Sequence, residues 1–155
     1  MLNFDFTLVE SPMVHLSIKD RVKPGNFMAL DANMKIKYND TVYFDEDIPI
    51  IEFWLQLNEW LNESSIAAFQ YQTMEVEDEF NPLISISPKG EFYQITSPCI
   101  ESEFALIDKK TEMVKKLIKL RDNMRVVIER YIQKDISVYV SNLIEKIINK
   151  LIEVD

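Results

Sequence analysis

The stretch Met28-Ala29-Leu30-Asp31-Ala32-Asn33-Met34-Lys35-Ile36-Lys37-Tyr38-Asn39-Asp40-Thr41-Val42-Tyr43-Phe44 decides how this chain folds. Met28, Leu30, Ala32, Met34, Ile36 and Tyr38 alternate with Asp31, Asn33, Lys35 and Lys37. A period of two sends the first set to one face of an extended chain and the second to the other, as in a strand buried on one side. Asn39-Asp40 then interrupts the pattern. Both residues tolerate positive φ, which a tight hairpin demands, so a return strand through Val42 and Phe44 is predicted.

Toward the N-terminus, Leu2, Phe4, Phe6 and Leu8 alternate with Asn3, Asp5 and Thr7. Val14, Leu16 and Ile18 repeat the alternation with His15 and Ser17 facing away, which predicts a further strand. Lys23-Pro24-Gly25-Asn26 reads as a turn. Downstream, Asp47 precedes Pro49 by two residues, and proline is well tolerated in a first helical turn. Ile50, Trp54, Leu57 and Leu61 lie at offsets of 0, 4, 7 and 11, one face of a helix that Phe53 and Trp60 widen. Asn62-Glu63-Ser64-Ser65 should end it.

A second β region follows. Phe69, Tyr71 and Thr73 alternate with Gln70 and Gln72, Leu83, Ile84 and Ile86 form a short apolar run, and Phe92, Tyr93 and Ile95 return after the turn Ser87-Pro88-Lys89-Gly90. From Asp108 to Asp155 there is no proline or glycine, and Asp108 can cap a helix. Met113, Leu117, Leu120, Met124, Val127 and Tyr131 form one stripe; Ile136, Val140, Leu143, Ile147 and Leu151 form another in a new register. The change near Gln133-Lys134-Asp135 favours two helices. A single long helix is the alternative, and it would need a partner to cover it. The expected fold is α+β, an antiparallel sheet with a central helix on one face and a C-terminal helical hairpin or long helix. Residues 1–107 would form the sheet-and-helix domain. Residues 108–155 would pack on it or form a dimer seam.

Composition removes many enzymes. The 155 residues include two glycines (Gly25, Gly90), one histidine (His15) and one cysteine (Cys99). Two distant glycines cannot build a phosphate-binding loop or a nucleophile elbow, and one histidine cannot build a two-histidine metal set. A lone cysteine forms no internal disulfide, which points to a reducing cytoplasm. Met1-Leu2-Asn3-Phe4-Asp5 lacks the basic and apolar segments of a signal peptide, and no apolar run is long enough for a membrane span. No metal or other cofactor is expected.

The net charge is −9, unevenly spread: residues 1–107 carry −12 and residues 108–155 carry +3. An acidic chain disfavours nucleic acid and attracts cationic partners. Glu75, Glu77, Asp78 and Glu79 fill four of five positions, and Asp45-Glu46-Asp47 adds three acids before the first long helix. These runs read as solvated loops or as a surface for a basic partner. The ligand order of a calcium-binding EF-hand is absent. Trp60, at the edge of its helix stripe, reads as core or as an interface anchor. Asp108-Lys109-Lys110 has the D-x-K spacing of some nucleases, although a capped helix start explains it. His15 reads as a surface residue and Cys99 as a structural thiol.

Several segments together resemble a known group. These are Met34-Lys35-Ile36-Lys37-Tyr38-Asn39-Asp40, Phe44-Asp45-Glu46, and Ile48-Pro49-Ile50-Ile51-Glu52-Phe53 with Leu57, Trp60 and Leu61. Phe69-Gln70-Tyr71 and Glu77 ahead of Asn81-Pro82-Leu83-Ile84 continue the likeness over residues 30–95. The chain there resembles small uncharacterised bacterial proteins similar to immunity proteins, which protect the producer of a secreted toxin by binding that toxin. The resemblance carries no catalytic motif. It implies a cytoplasmic, non-enzymatic binding protein whose partner is a cognate basic toxin domain, with a nuclease as one candidate. Glu75, Glu77, Asp78, Glu79, Asp45, Glu46, Asp47 and Trp60 are the candidate contact residues. The alternatives are a dimerisation module built on the C-terminal helices and a carboxylate-dependent hydrolase.

Overall fold

A computed structural model describes residues 1–63, 67–101 and 106–153. The fold is α+β, with two antiparallel sheets where the alternation predicted one. The first sheet has the order β1 (Leu2–Leu8), β2 (Asp31–Tyr38), β3 (Thr41–Pro49). The second has the order β4 (Phe69–Tyr71), β5 (Ile84–Lys89), β6 (Phe92–Thr96), β7 (Leu106–Lys109). The helices are α1 (Ile18–Arg21), α2 (Pro24–Met28), α3 (Ile50–Asn62), α4 (Lys110–Ile132) and α5 (Ile136–Glu153).

The β2–β3 hairpin forms as its turn chemistry requires. Asn39 and Asp40 have φ of 49° and 68°, the paired positive values of a turn that follows strand twist. Ala32, Met34, Ile36, Phe44 and Ile48 are buried, and their neighbours face solvent. Val42 departs from the expected pattern. The register runs from Ile36↔Phe44 to Lys37↔Val42, so Tyr43 is an extra residue, a bulge. A bulge reverses parity beyond it. Val42 therefore shares the outer face with Lys37 and is 43% exposed.

The strand predicted over Val14–Ile18 does not form. Pro12 opens a 3-10 turn (Pro12–His15), and Ser17 caps α1 by accepting from the Asp20 amide at 3.3 Å. Local side-chain capping overrides the alternation there. Pro24 likewise starts α2 instead of a turn, because its missing N–H costs nothing at a helix start. Met28 belongs to α2, and the strand begins at Asp31.

Helix α3 buries Ile50, Phe53, Trp54, Leu57 and Trp60 in the core, while Leu61, the last residue of the predicted stripe, is only half-buried against it. Each such aliphatic side chain contributes about 1.5–3 kcal/mol. Phe53 meets Phe69 and Tyr71 of β4 edge-on at 5.9 and 5.0 Å, and Trp54 Nε1 donates to the Arg121 carbonyl of α4 at 3.1 Å. The helix ends at Asn62 with Glu63 as its cap; Ser64 and Ser65 of the expected terminator lie outside the described residues.

In the second sheet β5 extends through Pro88 and Lys89, and the turn is Gly90-Glu91 with Gly90 at φ +63°. Asp108 is a strand residue, not a helix cap. In β7 it pairs with Tyr93 of β6, and its carboxylate forms an ion pair with Lys116. Strand β7 crosses the boundary between residues 107 and 108. Helix α4 buries Met113, Leu117, Leu120, Met124, Ile128 and Tyr131 in the same core as both sheets; Val127 is only half-buried. Gln133 then turns left-handed at φ 55° and separates α4 from α5, so there are two C-terminal helices.

Candidate partner-binding surface

The loop between β4 and β5 is closed at its base. Asn81 Nδ2 donates to the Thr73 carbonyl at 2.8 Å, while Asn81 Oδ1 accepts from the Thr73 amide at 3.1 Å. Thr73 is buried, and its Oγ1 accepts from the Glu75 amide at 3.2 Å. Leu83 N donates to the Tyr71 carbonyl at 2.9 Å, directly beneath. At the far end Asp78–Phe80 forms a 3-10 turn. Glu75, Glu77, Asp78 and Glu79 all stand exposed on this frame. So do Met74, at 96%, and Phe80, at 43%. Because the main chain is already tied, docking here orders fewer bonds than a free loop would.

Asp45, Glu46 and Asp47 do not form one patch, because strand parity divides them. Asn33 Nδ2 donates to Asp45 Oδ1 at 2.8 Å and to Asp47 Oδ1 at 3.1 Å, which places both on the outer face of the first sheet. Glu46 points the other way, toward Cys99. The Cys99 thiol is pushed up by burial first and by the Glu46 charge second, so it stays protonated.

Two acids outside the predicted set join the two runs. Asp31, paired with Pro49 at the start of β2, is raised by burial and then by Asp47; its Oδ1 is buried and accepts no hydrogen bond from the described residues. Glu75, although its residue stands exposed, is raised by partial desolvation of its carboxyl first, then by Asp31 and Glu52. Glu52, in the first turn of α3, accepts a 2.7 Å hydrogen bond from the Tyr71 hydroxyl. Asp47, Asp31, Glu52 and Glu75 are thus electrostatic neighbours.

Trp60 takes no part in this surface. It is 9% exposed, its Nε1 donates to the Ala67 carbonyl at 3.0 Å, and its ring lies 5.7 Å from Phe69 and 5.9 Å from Tyr93. The exposed apolar groups near the acids are Met74 and Phe80 instead. Met74 was legible: with Phe69, Tyr71 and Thr73 inward, parity sends Gln70, Gln72 and Met74 outward. Phe80 had no such signal.

His15 is exposed beside Glu10, with the ring nitrogen and the carboxylate in contact. Among the described residues no group of three or more His, Cys, Asp or Glu is placed to hold a metal ion. Surface grooves formed by the described residues include five of about 320 to 510 Å³ whose linings each contain one acidic residue. No described helix is long and apolar enough to cross a membrane.

Residues 4–130 match the family described as "Domain of unknown function (DUF7878)". The chain belongs to that family. The DUF7878 match takes in both sheets, α3 and nearly all of α4, and leaves α5 outside. No curated protein and no solved structure matches the chain.

Proposed function

We propose that this DUF7878 chain is a non-enzymatic binding protein of the cytoplasm, an immunity protein that neutralises a cationic bacterial toxin by covering its active surface. The observation that carries the reading is the loop from Met74 to Phe80. Four exposed carboxylates stand between two exposed apolar side chains on a hydrogen-bonded base. Clustered negative charge accelerates encounter with a basic surface, and desolvated apolar contacts slow dissociation. Asp45 and Asp47 extend the negative field from the neighbouring sheet. A nuclease is a fitting target, since its substrate site is built to receive phosphates.

The test uses the protein encoded by the adjacent reading frame. Its association with this chain is measured at several salt concentrations, beside a variant carrying Glu75→Lys, Glu77→Lys, Asp78→Lys and Glu79→Lys. The expected result is a slower on-rate and a flatter salt dependence in the variant. Unchanged values for both would sink the steering claim. Absence of binding by the unaltered chain would sink the immunity role for that partner.

A further inference from the structure

We propose that the outer face of the second sheet, around Phe92, receives the Met74–Phe80 loop of a second copy of this chain. In β5, β6 and β7 the side chains of Ile84, Ile86, Tyr93, Ile95 and Leu106 are buried in the core, so the residues that alternate with them point outward. Cross-strand partners share a face, and the register sets Lys89, Phe92 and Lys109 in one outward row. The next rows are Ser87, Gln94 and Ile107, then Ser85 and Thr96. None of these residues is acidic, on a chain with 26 Asp and Glu. The Lys89 ammonium donates to Gln94 Oε1 at 3.2 Å, within the face, and among the described residues neither Lys89 nor Lys109 forms an ion pair. Glu91, the acid of the hairpin turn, has Lys110 as its cross-strand neighbour. Phe92 and Ile107 are 37 and 38% exposed and give the face an apolar centre.

Charge and apolar surface together select the occupant. The loop offers Glu75, Glu77, Asp78 and Glu79 between Met74 and Phe80, the complement of two ammonium groups set around Phe92 and Ile107. Apolar contact at the centre with opposite charges at the rim is the pattern of a specific interface. The loop does not reach the face of its own molecule. Asn81 ties its base to Thr73 at the Ile84 end of β5, and Lys89 ends the same strand, about 17 Å away. That is about two screening lengths at physiological salt, so the field of the two lysines stands uncancelled until a second copy brings its acids. Helix α4 is a poorer receptor, because Lys115, Lys116, Arg121 and Arg125 already pair with Glu112, Asp108, Asp122 and Glu129. The contact uses the loop assigned above to a basic partner but does not depend on the toxin reading.

The test is sedimentation equilibrium of the full chain alone, with no toxin present, from micromolar to millimolar concentration. The average mass should rise above 18.3 kDa. A face variant carrying Lys89→Glu and Lys109→Glu, both at exposed sites, should associate at least about tenfold more weakly while its thermal unfolding stays unchanged. Lys89→Arg with Lys109→Arg should associate as the unaltered chain does. A loop variant carrying Glu75→Lys, Glu77→Lys, Asp78→Lys and Glu79→Lys should also stay monomeric, and mixing it with the face variant should restore association, because each then supplies the charge that the other meets. A chain that is monomeric throughout would overturn the pairing and leave the partner reading standing. A face variant that associates normally would overturn it too, and so would a mixture that stays monomeric. A monomer that uses Lys89 and Lys109 to bind a single-stranded oligonucleotide or vesicles of anionic phospholipid would overturn the choice of occupant.

Discussion

Tyr71 and Glu52 are joined by a 2.7 Å hydrogen bond from the phenol to carboxylate Oε1, and it ties the edge strand β4 to the first turn of α3. Tyr71 is fully buried, and its pKa is pushed far up by burial and by the Glu52 carboxylate, so it stays a donor throughout the accessible pH range. Tyr71→Phe keeps the ring against Phe53 and removes only the donor. A buried hydrogen bond to a charged group is worth about 1.5–3 kcal/mol, so urea unfolding should show a loss in that range at pH 7. A loss under half a kcal/mol would mean that water replaces the phenol at Glu52.

The carboxylates around Asp31 set a pH dependence of definite sign. Asp31 and Glu75 are held above the ordinary aspartate and glutamate values, by partial desolvation of the carboxyl first and neighbouring acids second. A group that holds its proton more tightly when folded stabilises most below its unfolded pKa, and that contribution is lost as pH rises through the folded value. These two groups therefore favour the fold more at about pH 4 than at about pH 7. Asp135 runs the other way: the Val138 amide lowers it, so its contribution is present above 3.8 and lost as pH falls through its folded value. Asp31→Asn should raise the unfolding temperature at neutral pH, with a gain that shrinks on acidification. A gain independent of pH would assign the effect to something other than ionisation.

Particular residues show where sequence is enough and where it stops. The β2–β3 hairpin follows from alternation and from Asn39-Asp40, both local. The α4–α5 break follows from a change of helical register near Gln133. Val42 fails because one bulged residue reverses parity without altering composition. Val14, Leu16 and Ile18 fail because Pro12 and Ser17 favour short helices over a ladder. Strand β7 escapes notice because Leu106–Lys109 is four residues long and runs straight into α4. The neighbourhood of Asp31, Asp47, Glu52 and Glu75 is a tertiary product: strand register and the start of α3 bring together acids that no spacing rule connects.

Gln133 tests the cost of the left-handed cap. It sits at φ 55°, ψ 39°, and its amide donates to the Glu129 carbonyl at 2.7 Å, closing α4. Non-glycine residues pay about 1 kcal/mol for that conformation, and glycine does not. Gln133→Gly should stabilise the chain by about 0.5–1 kcal/mol, and Gln133→Val should destabilise it. Denaturant midpoints of the two variants check this directly; a shift of the same sign in both would refute it.

Arg21 holds the N-terminal helical segment against the end of α4. Its guanidinium donates to the carbonyls of Leu16, Val14 and Tyr131 at 2.8, 3.0 and 3.1 Å and lies 4.7 Å over the Tyr131 ring. The Tyr131 hydroxyl donates in turn to the Met13 carbonyl at 2.7 Å. Arg21→Ala should cost about 2–4 kcal/mol by thermal unfolding, because three carbonyls lose a charged donor. Arg21→Lys should recover little, since an ammonium cannot present three diverging donors and a flat face at once. Full rescue by lysine would show that charge alone matters at this position.

Asn81 separates a preorganised acidic loop from a merely acidic one. Its side chain both donates to and accepts from Thr73, so Asn81→Ala removes two hydrogen bonds and leaves a buried amide and carbonyl unpaired. The expected cost is about 1–3 kcal/mol in urea unfolding, with faster amide hydrogen exchange at Thr73 and Glu75. Every carboxylate of the loop remains in this variant, so steering by charge is untouched. If a basic partner docks on the tied conformation, its on-rate should stay close to that of the unaltered chain while dissociation accelerates. Equal dissociation rates for the unaltered chain and Asn81→Ala, alongside the faster exchange, would show that the partner reads the charge of the loop and not its shape.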